Sequence, residues 1–315
     1  MASVSAHAGE GLGRASAGVL DRGFLVVGGK DHVRFLQGML TNDVAGLTPG
    51  QACPALLLSQ KGRVVADLVA LRFDDHVLLS CEGPAEPVRD ALERFVIMDD
   101  VTLEIAALAE LAVIGQRAQE VLTANQLPAP GPWRHQARGS VLVLHAALAD
   151  VDAYRVISEH DSVLQGCGKL EPSDISLLFL EAAWPRIVTD FAPDEILPME
   201  AGCWTRAISF SKGCYVGQEV VVRGTTRGGV KHRFVGLRVS GRAVPPRGAK
   251  VASAARPEAG HVTSARQSPD AGVLALAYLW HDVASAGTSV EVQTPDGALA
   301  AVVVAGPFDA PKERS

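Results

Sequence analysis

The sequence predicts an α+β protein with a separate all-β part at its C-terminal end. Over roughly the first 230 residues, short apolar runs rich in β-branched residues outnumber the segments with helical periodicity. From Arg233 onward no helical periodicity is found, and short strands alternate with turns such as Pro295-Asp296-Gly297. Short strands at regular spacing are typical of a small barrel or sandwich.

The predicted elements follow in chain order. Phe24–Val27 predicts a strand, Gly28 and Gly29 turn the chain, and Asp31 is placed to cap a helix. The apolar face of that helix is Val33, Leu36 and Leu40. Further strands are predicted at 55–58, 64–71, 77–80, 101–105, 111–114, 141–144 and 154–157, and helices at 88–95, 118–124 and 175–183. The C-terminal strands are predicted at 234–239, 250–253, 273–279, 289–293 and 298–304.

The length of the chain predicts more than one folded unit. Its 315 residues exceed the size at which a single core usually stops growing, about 250 to 300 residues. We expect an α+β region at 17–232 and a β-barrel at 233–306. Residues 1–16 are small and polar, and residues 307–315 are charged and contain proline, so both are predicted to be mobile or frayed tails.

Charge and cysteine content restrict the partners and the compartment. A formal net charge of −6 argues against nucleic acid and anionic membranes as partners of the whole surface. The five cysteines are widely spread, with no Cys-x-x-Cys pair and no zinc-ligand spacing, so we expect free thiols and no metal site. The N-terminus lacks a signal-peptide core, and no run of about 18 apolar residues occurs. The sequence therefore predicts a cytoplasmic protein.

The segment from Ser209 to Arg223 is the strongest candidate for a functional site. If a helix begins near Tyr215, its free amides and the charge of Lys212 would favour the thiolate of Cys214. Cys214 would then act as a nucleophile, a redox thiol or a metal-contact thiol. The residues alone leave open a small buried cysteine without reactivity. The other cysteines have apolar or small neighbours and are predicted to be structural: Cys53, Cys81, Cys167 and Cys203.

The run from Arg223 to Arg233 concentrates positive charge in an acidic protein. It would attract the carboxylates of a ligand or a partner, and a solvated basic loop is the alternative. Its single Arg-Gly-Gly is too weak a signal for RNA. The segment 28–31 lacks the spacing and the Ser/Thr of a phosphate-binding loop.

Several segments together resemble one known family. Lys212-Gly-Cys-Tyr-Val-Gly-Gln-Glu219 is similar to the signature octapeptide of the YgfZ-type family, which includes mitochondrial relatives. Segments that resemble the same family occur in the same order at 35–44, 62–67, 196–202, 231–237, 262–265 and 275–279. The resemblance covers about residues 20 to 305 and rests on these ordered motifs.

This resemblance implies a fold, a cofactor and a set of site residues. The fold is that of the glycine-cleavage T-protein, in which two α/β lobes form a folate-binding region before a small C-terminal β-barrel. The implied cofactor is tetrahydrofolate or a one-carbon derivative, and the implied partners are iron–sulfur client or assembly proteins. Cys214 is the implied essential thiol, with Lys212 beside it. Its setting is Gly213, Tyr215, Gly217, Gln218 and Glu219. Asp67 and Glu200 are implied to face the pterin, with Arg233 near the carboxylate end of the folate.

The residues alone leave alternatives for these folate contacts. A buried carboxylate can accept two hydrogen bonds from the aminopyrimidine edge of a pterin. Glu200 would equally suit a surface or capping carboxylate, and Asp67 a structural hydrogen bond.

The aminomethyltransferases, which resemble this chain in architecture, carry a reactive acidic residue after the strand predicted at 77–80. An ungapped alignment puts a proline near that position here, and proline cannot transfer a proton through its side chain. Glu82, Glu86 and Asp90 are the possible substitutes. Three hypotheses follow: a folate-binding accessory protein for iron–sulfur clusters, a folate-dependent one-carbon transferase or demethylase, and a binding module without folate.

Overall fold

A computed structural model describes residues 15–159, 164–226 and 229–304. Of the two predicted tails, 1–16 and 307–315, residues 1–14 and 307–315 lie outside the described residues. Ala15 is buried and Ser16 begins the first strand, which corrects the predicted end of the N-terminal tail. The α+β class is confirmed, with two sheet-based lobes followed by a closed six-stranded barrel.

The bounds of the elements are as follows. The strands of the lobes are β1 (Ser16–Leu20), β2 (Arg22–Gly28), β3 (Ala52–Leu58), β4 (Val64–Arg72), β5 (Val77–Glu82), β6 (Thr102–Ala106), β7 (Ala109–Ile114), β8 (Arg134–Arg138), β9 (Val141–His145), β10 (Ala153–Ser158) and β11 (Gly168–Lys169). The helices are α1 (His32–Met39), α2 (Glu86–Glu93), α3 (Ala118–Ala124), α4 (Pro172–Glu181) and α5 (Gln218–Thr226). The barrel strands are β12 (His232–Val239), β13 (Lys250–Ala252), β14 (Gly260–Ser268), β15 (Gly272–Trp280), β16 (Ser289–Thr294) and β17 (Gly297–Val304).

The first lobe is a five-stranded antiparallel sheet in the order β3-β4-β5-β2-β6. Helices α1 and α2 cover one face, and α1 buries His32, Phe35, Leu36 and Met39. Asp31 occupies the N-cap position of α1, but its side chain does not cap the helix. Its Oδ2 instead accepts a hydrogen bond from the backbone N–H of Asp100 at 2.9 Å, which corrects the predicted capping role.

The second lobe is a six-stranded sheet in the order β11-β1-β7-β10-β9-β8. Its inner strands β7 and β10 are strongly buried and antiparallel, and α4 packs against β1. The sequence did not predict β1, β8 or β11. Strand β8 is mostly exposed and has the polar sequence Arg-His-Gln-Ala-Arg, which has no alternation of apolar residues.

The C-terminal barrel closes because β12 pairs with both β15 and β17. Closure leaves no free sheet edge that could pair with another chain. Strand β14 was not predicted. A register shift between Val262 and Ser264 and a polar second half remove the alternating pattern by which a strand is recognised.

Residues 182–217, here called the connecting segment, lie between α4 and α5 at the centre of the molecule. Trp204 is fully buried, and the ring of Phe191 lies 5.3 Å from the rings of both Phe234 and Tyr278 of the barrel. The Oγ1 of Thr41, just after α1, donates to the carbonyl of Ala207 at 2.6 Å. The segment therefore joins the first lobe to the barrel. Within the described ranges, none of the helices is long and apolar enough to cross a membrane.

Candidate functional site

A cavity of about 60 Å³ lies where the two lobes meet the connecting segment. We call it the central cavity. Both sheets and the connecting segment contribute to its wall, which includes Arg22, Pro54, Asp67, Val69, Glu82, Trp133, Ala147, Leu148, Ala149, Asp150, Arg155, Phe179, Trp184, Arg206 and Ala207. The cavity thus combines aromatic walls with several charged groups, as ligand sites do.

Asp67 of β4 lines the central cavity. Its Oδ2 accepts hydrogen bonds from the indole N–H of Trp204 at 3.0 Å and of Trp184 at 3.4 Å. Burial raises the pKa of the Asp67 carboxyl, and the nearby charge of Arg22 opposes that rise. Two indole N–H groups thus hold the Asp67 carboxyl in a fixed orientation through Oδ2, and Oδ1 accepts no hydrogen bond from the described residues.

Glu82 at the end of β5 is a second carboxyl in the cavity wall. It is buried, and its Oε1 accepts a hydrogen bond from the Nε of Arg186 at 2.7 Å. Burial raises the pKa of Glu82 to about 7, the charge of Asp67 raises it further, and the charge of Arg186 opposes the rise. Of the three possible substitutes for the missing acid, Glu82 lines the cavity, whereas Glu86 and Asp90 lie exposed on α2.

Arg155 of β10 has unused hydrogen-bonding capacity beside the cavity. It is 4 % exposed, yet its Nε and Nη1 have no hydrogen-bond partner among the described residues. Its Nη2 donates to the carbonyl of Ala147, and its Nη1 lies 3.4 Å from Glu110 Oε1. Nη1 is thus directed to Glu110, and Nε is the donor left without a partner. A buried donor left unpaired costs about 1 to 3 kcal/mol, so such a group favours a ligand that brings an acceptor. Burial lowers the pKa of Arg155 to about 10, which keeps it cationic at neutral pH.

A charged chain of contacts behind the cavity supports Arg155. Glu110 of β7 is fully buried, and its Oε2 accepts a hydrogen bond from the hydroxyl of Ser80 at 2.7 Å. The same hydroxyl accepts a hydrogen bond from Arg22 Nε at 3.1 Å. Because these residues come from both sheets, the network holds the two lobes in register at the cavity.

Cys214 lies apart from the central cavity, on residues 209–217, here called the Cys214 loop. Its side chain is exposed, and it is not among the residues that line the cavity. Helix α5 begins at Gln218 rather than near Tyr215, so its free amides start four residues after the thiol. The structure therefore corrects the prediction that the free amides at the start of a helix favour the thiolate of Cys214.

Lys212 anchors the Cys214 loop to the first lobe. Its Nζ donates to the backbone carbonyls of Gln37, Leu40 and Asn42 at 2.6, 2.6 and 2.9 Å. Burial lowers the pKa of Lys212 to about 8. All three ammonium protons are used at the end of α1, so the structure corrects the prediction that Lys212 serves the thiolate.

The remaining motif residues shape or flank the loop. Gly217 has a φ of 81°, and a Cβ there would lie 2.8 Å from the carbonyl oxygen of Ser59 and 2.9 Å from the Cα of Gly62. Gly213 has open space around it. Tyr215 is buried, Gln218 is half-buried, and Glu219 forms an exposed ion pair with Arg223.

Glu200 and Arg233 lie away from the central cavity. Glu200 is buried in a 3₁₀ turn, Pro198–Glu200, where its Oε2 accepts a hydrogen bond from the N–H of Leu197 at 2.9 Å. Its Oε1 lies 4.0 Å from His232 of the barrel. Arg233 is exposed on β12. The structure therefore brings together Asp67 with Arg155 and Glu82, and it corrects the predicted grouping of Asp67 with Glu200 and Arg233.

The other cysteines differ from Cys214 in exposure. Cys53 and Cys81 are buried, and Cys167 and Cys203 are partly buried. Burial raises the pKa of Cys53, Cys81 and Cys203 to about 12 in each case. Over the part of the chain that the structure describes, no group of three or more His, Cys, Asp or Glu residues could hold a metal ion.

Three functional candidates were missed from the sequence: Arg22, Arg155 and Trp184. The signal that could have found Arg155 is the one that singled out Asp67, namely a charged residue within an apolar strand. Ala153–Ser158 reads Ala-Tyr-Arg-Val-Ile-Ser. Trp184 follows the end of α4, in a stretch without a regular pattern.

Comparisons with known proteins agree in both halves of the chain. The family model of the GCVT N-terminal domain matches residues 14–129, and that of the glycine cleavage T-protein C-terminal barrel domain matches residues 232–309. The aminomethyltransferase of Geobacillus kaustophilus (strain HTA426) is 30 % identical, over 94 % of this chain and 88 % of the relative. That of Bacillus subtilis (strain 168) is 26 % identical, over 94 % and 88 %.

A solved structure also superposes on nearly the whole molecule. The glycine cleavage system aminomethyltransferase T from Bartonella henselae has a TM-score of 0.85 at 19 % identity, covering 98 % of this chain and 90 % of that one. The two proteins share a fold, including the two lobes and the terminal barrel.

Proposed function

Because the chain belongs to the glycine cleavage T-protein superfamily, we propose that it binds a reduced folate in the central cavity and supports iron–sulfur clusters through Cys214. The octapeptide KGCYVGQE supports assignment to the YgfZ-type branch of that superfamily. The observation that carries the proposal is the separation of the two sites, since the exposed thiol and the charged cavity are built from different residues.

The donors and acceptors around the cavity fit a pterin. Asp67 can accept hydrogen bonds from the aminopyrimidine edge, and the unpaired Nε of Arg155 can bind an acceptor on the ring. Trp133, Trp184 and Phe179 can provide flat apolar walls. A bound reduced folate would supply a carrier for a one-carbon unit.

The volume of the cavity adds a condition to this binding. Its volume of about 60 Å³ is smaller than the roughly 300 to 1,000 Å³ of typical ligand pockets. Binding must therefore widen the cavity. Arg206 is the residue whose movement would widen the cavity. It lies over the ring of Trp184 at 4.5 Å and forms an ion pair with Asp150, and both of these residues line the cavity.

The Cys214 loop supports a role on other proteins. Lys212 and Gly217 fix the backbone of the loop, while the thiol itself is exposed and can meet a client or an assembly partner. A single thiolate cannot hold a cluster that needs about four ligands, so any cluster contact at Cys214 would be shared with other thiols.

Calorimetric titration with tetrahydrofolate tests the folate part of the proposal. Asp67→Ala should weaken binding at least tenfold, since the pterin loses a buried hydrogen-bond acceptor. Glu86→Gln, an exposed carboxyl of the same lobe, and Cys214→Ser should both bind as the wild type does. Absence of saturable binding in the wild type would instead favour a binding module without folate.

Complementation tests the iron–sulfur part. In cells that lack this protein, the activity of an iron–sulfur dehydratase should be restored by the wild type and not by Cys214→Ser. Cys167→Ser, a change at a partly buried thiol, serves as the matched control. Full restoration by Cys214→Ser would remove the thiol from the proposal.

One observation favours a second function, a folate-dependent one-carbon transferase. Glu82 is a cavity carboxyl with a pKa of about 7, which suits a proton-transferring group near neutral pH. Turnover of an aminomethyl donor with tetrahydrofolate that Glu82→Gln abolishes, while folate still binds, would establish this function.

A further inference from the structure

Two oppositely charged side chains meet where the central cavity approaches the surface. Arg206 of the connecting segment forms an ion pair with Asp150, which follows β9 in the second lobe, and both residues line the cavity. Their side chains are 45 % and 39 % exposed, so the pair lies at the outer end of the cavity. The ion pair therefore joins the connecting segment to the second lobe across the cavity wall.

Arg206 also holds an aromatic side chain of the cavity wall in place. Its guanidinium lies over the ring of Trp184 at 4.5 Å, and its Nε donates to the carbonyl of Cys203 at 3.1 Å. The indole N–H of Trp184 donates to Asp67 at 3.4 Å, which is longer than the 3.0 Å bond from Trp204 to the same oxygen. Movement of Arg206 would therefore free one face of Trp184 and leave that ring with the longer of these two bonds.

The turn that carries Asp150 is strained. The backbone N–H of Leu148 donates to the carbonyl of Val151 at 2.8 Å, and the N–H of Val151 donates back at 2.9 Å. The two residues between them, Ala149 and Asp150, have φ values of 46° and 72°. Asparagine and glycine are the usual residues in such a turn, and other residues persist there only while surrounding contacts hold them. The ion pair with Arg206 is one contact that holds this turn against the connecting segment.

We propose that Asp150 and Arg206 form a latch over the central cavity, and that its opening admits the ligand. When the ion pair separates, Arg206 leaves the ring of Trp184 and the turn at 148–151 moves away from the connecting segment. An exposed ion pair and a contact between a cation and a ring are each weak, so the open form is a minor state that the protein reaches readily. The part of this inference that concerns the ligand rests on the proposed folate binding, whereas the latch itself does not.

The thiol of Cys203 provides a measure of opening that needs no ligand. It is partly buried, and burial raises its pKa. The charges of Asp67 and Asp150 raise that pKa further, and the charge of Arg206 opposes the rise, so the thiol lies beside the latch. Alkylation of Cys203 should therefore proceed mainly from the open form.

Alkylation of the full chain by iodoacetamide, followed by mass spectrometry of the peptide that contains Cys203, tests the latch. Asp150→Asn and Arg206→Gln should each raise the alkylation rate at least about fivefold, because each removes the ion pair. The first change lowers the pKa of the thiol and the second raises it. Acceleration by both variants therefore reports opening rather than a change in thiol charge.

A second pair of the same kind provides a matched control. Arg256 forms an exposed ion pair with Asp282 and lies over the ring of Trp280 at 4.5 Å, and none of these three residues lines the cavity. Asp282→Asn should leave the alkylation of Cys203 unchanged. Higher salt should accelerate alkylation in the wild type and have less effect on Arg206→Gln. An unchanged rate in both latch variants, or acceleration by Asp150→Asn alone, would overturn the latch.

Stopped-flow binding of tetrahydrofolate, followed by tryptophan fluorescence, tests the entry of the ligand. Association should be at least about threefold faster in Asp150→Asn than in the wild type, because a larger fraction of the protein is open. Equal association rates, with alkylation accelerated, would show that the ligand does not enter through the latch. Absence of tetrahydrofolate binding in the wild type would overturn the proposed folate site, and the alkylation rates would still decide whether the latch exists.

Discussion

The central cavity and the Cys214 loop are built in opposite ways. The cavity collects charged residues from both sheets and the connecting segment, and two of them, Glu82 and Arg155, are buried. The loop is one continuous stretch whose thiol is exposed and whose lysine is used for anchoring. A contiguous site leaves a motif in the sequence, whereas a site assembled across lobes leaves isolated residues that a motif search does not connect.

The largest expected effect is on the buried network of the cavity. Arg155→Met should destabilise the protein by about 3 kcal/mol at pH 7, because the fully buried Glu110 loses the nearer of its two counter-charges and keeps only Arg22, at 4.0 Å. Urea unfolding measures the change, with the exposed Arg242→Met as control. Adding Glu110→Leu should recover most of the loss, and a single-variant cost below about 1 kcal/mol would contradict the pairing.

Glu82 gives the cavity a pH dependence between its ordinary and its raised pKa, below the range in which Lys212 of the loop titrates. Its folded pKa of about 7 exceeds the ordinary 4.5, so the folded state holds more protons than the unfolded state between these values. Stability from this group therefore falls as pH rises through that window. Glu82→Gln should gain on the order of 2 kcal/mol relative to the wild type between pH 5 and 8, measured by urea unfolding at each pH. A constant difference across that window would show that the pKa is not raised.

Alanine substitutions at two glycines of the Cys214 loop should differ in their effect on stability. Gly217→Ala should cost about 2 kcal/mol, because its φ is positive and the added Cβ meets the backbone of Ser59 and Gly62. Gly213→Ala, four residues earlier in open space, should change stability by less than about 0.5 kcal/mol. Equal effects at the two positions in thermal unfolding would contradict the anchoring of the loop at Gly217.

The smallest expected effect is on thiol reactivity. Lys212→Met should change the alkylation rate of Cys214 at pH 7 by less than about twofold, because the ammonium is directed to the carbonyls of Gln37, Leu40 and Asn42. Comparison with the Cys214→Ser variant shows which part of the alkylation signal comes from Cys214. A tenfold fall in the rate in a folded Lys212→Met protein would restore the role that the sequence suggested.

Patterns in the sequence predicted most of the fold. Strands with alternating or continuous apolar residues, such as β4, β5 and β15, were located to within a few residues, because their burial dictates their composition. Strands β8 and β14 were missed, since polar residues and a bulge hide their periodicity.

The site was predicted in part. Asp67 was singled out as a charge within an apolar strand, and it lies in the cavity wall. Glu200 was also expected to face the ligand, but it is buried against the barrel, where His232 and Tyr278 surround it. Which carboxylate faces the cavity depends on how the connecting segment crosses between the lobes, and that path is set by long-range packing.

The anchoring of the Cys214 loop also has a kinetic consequence. The three carbonyls that hold Lys212 are 170 to 175 residues earlier in the chain, and Thr41 bonds to Ala207 across 166 residues. Contacts between residues so distant in sequence form slowly, because the intervening chain must first be ordered. During synthesis the first lobe can fold well before residue 212 leaves the ribosome. The thiol therefore reaches its final geometry only after the lobes that precede it in the chain are complete, so its correct placement reports that the lobes, rather than the C-terminal barrel, have folded.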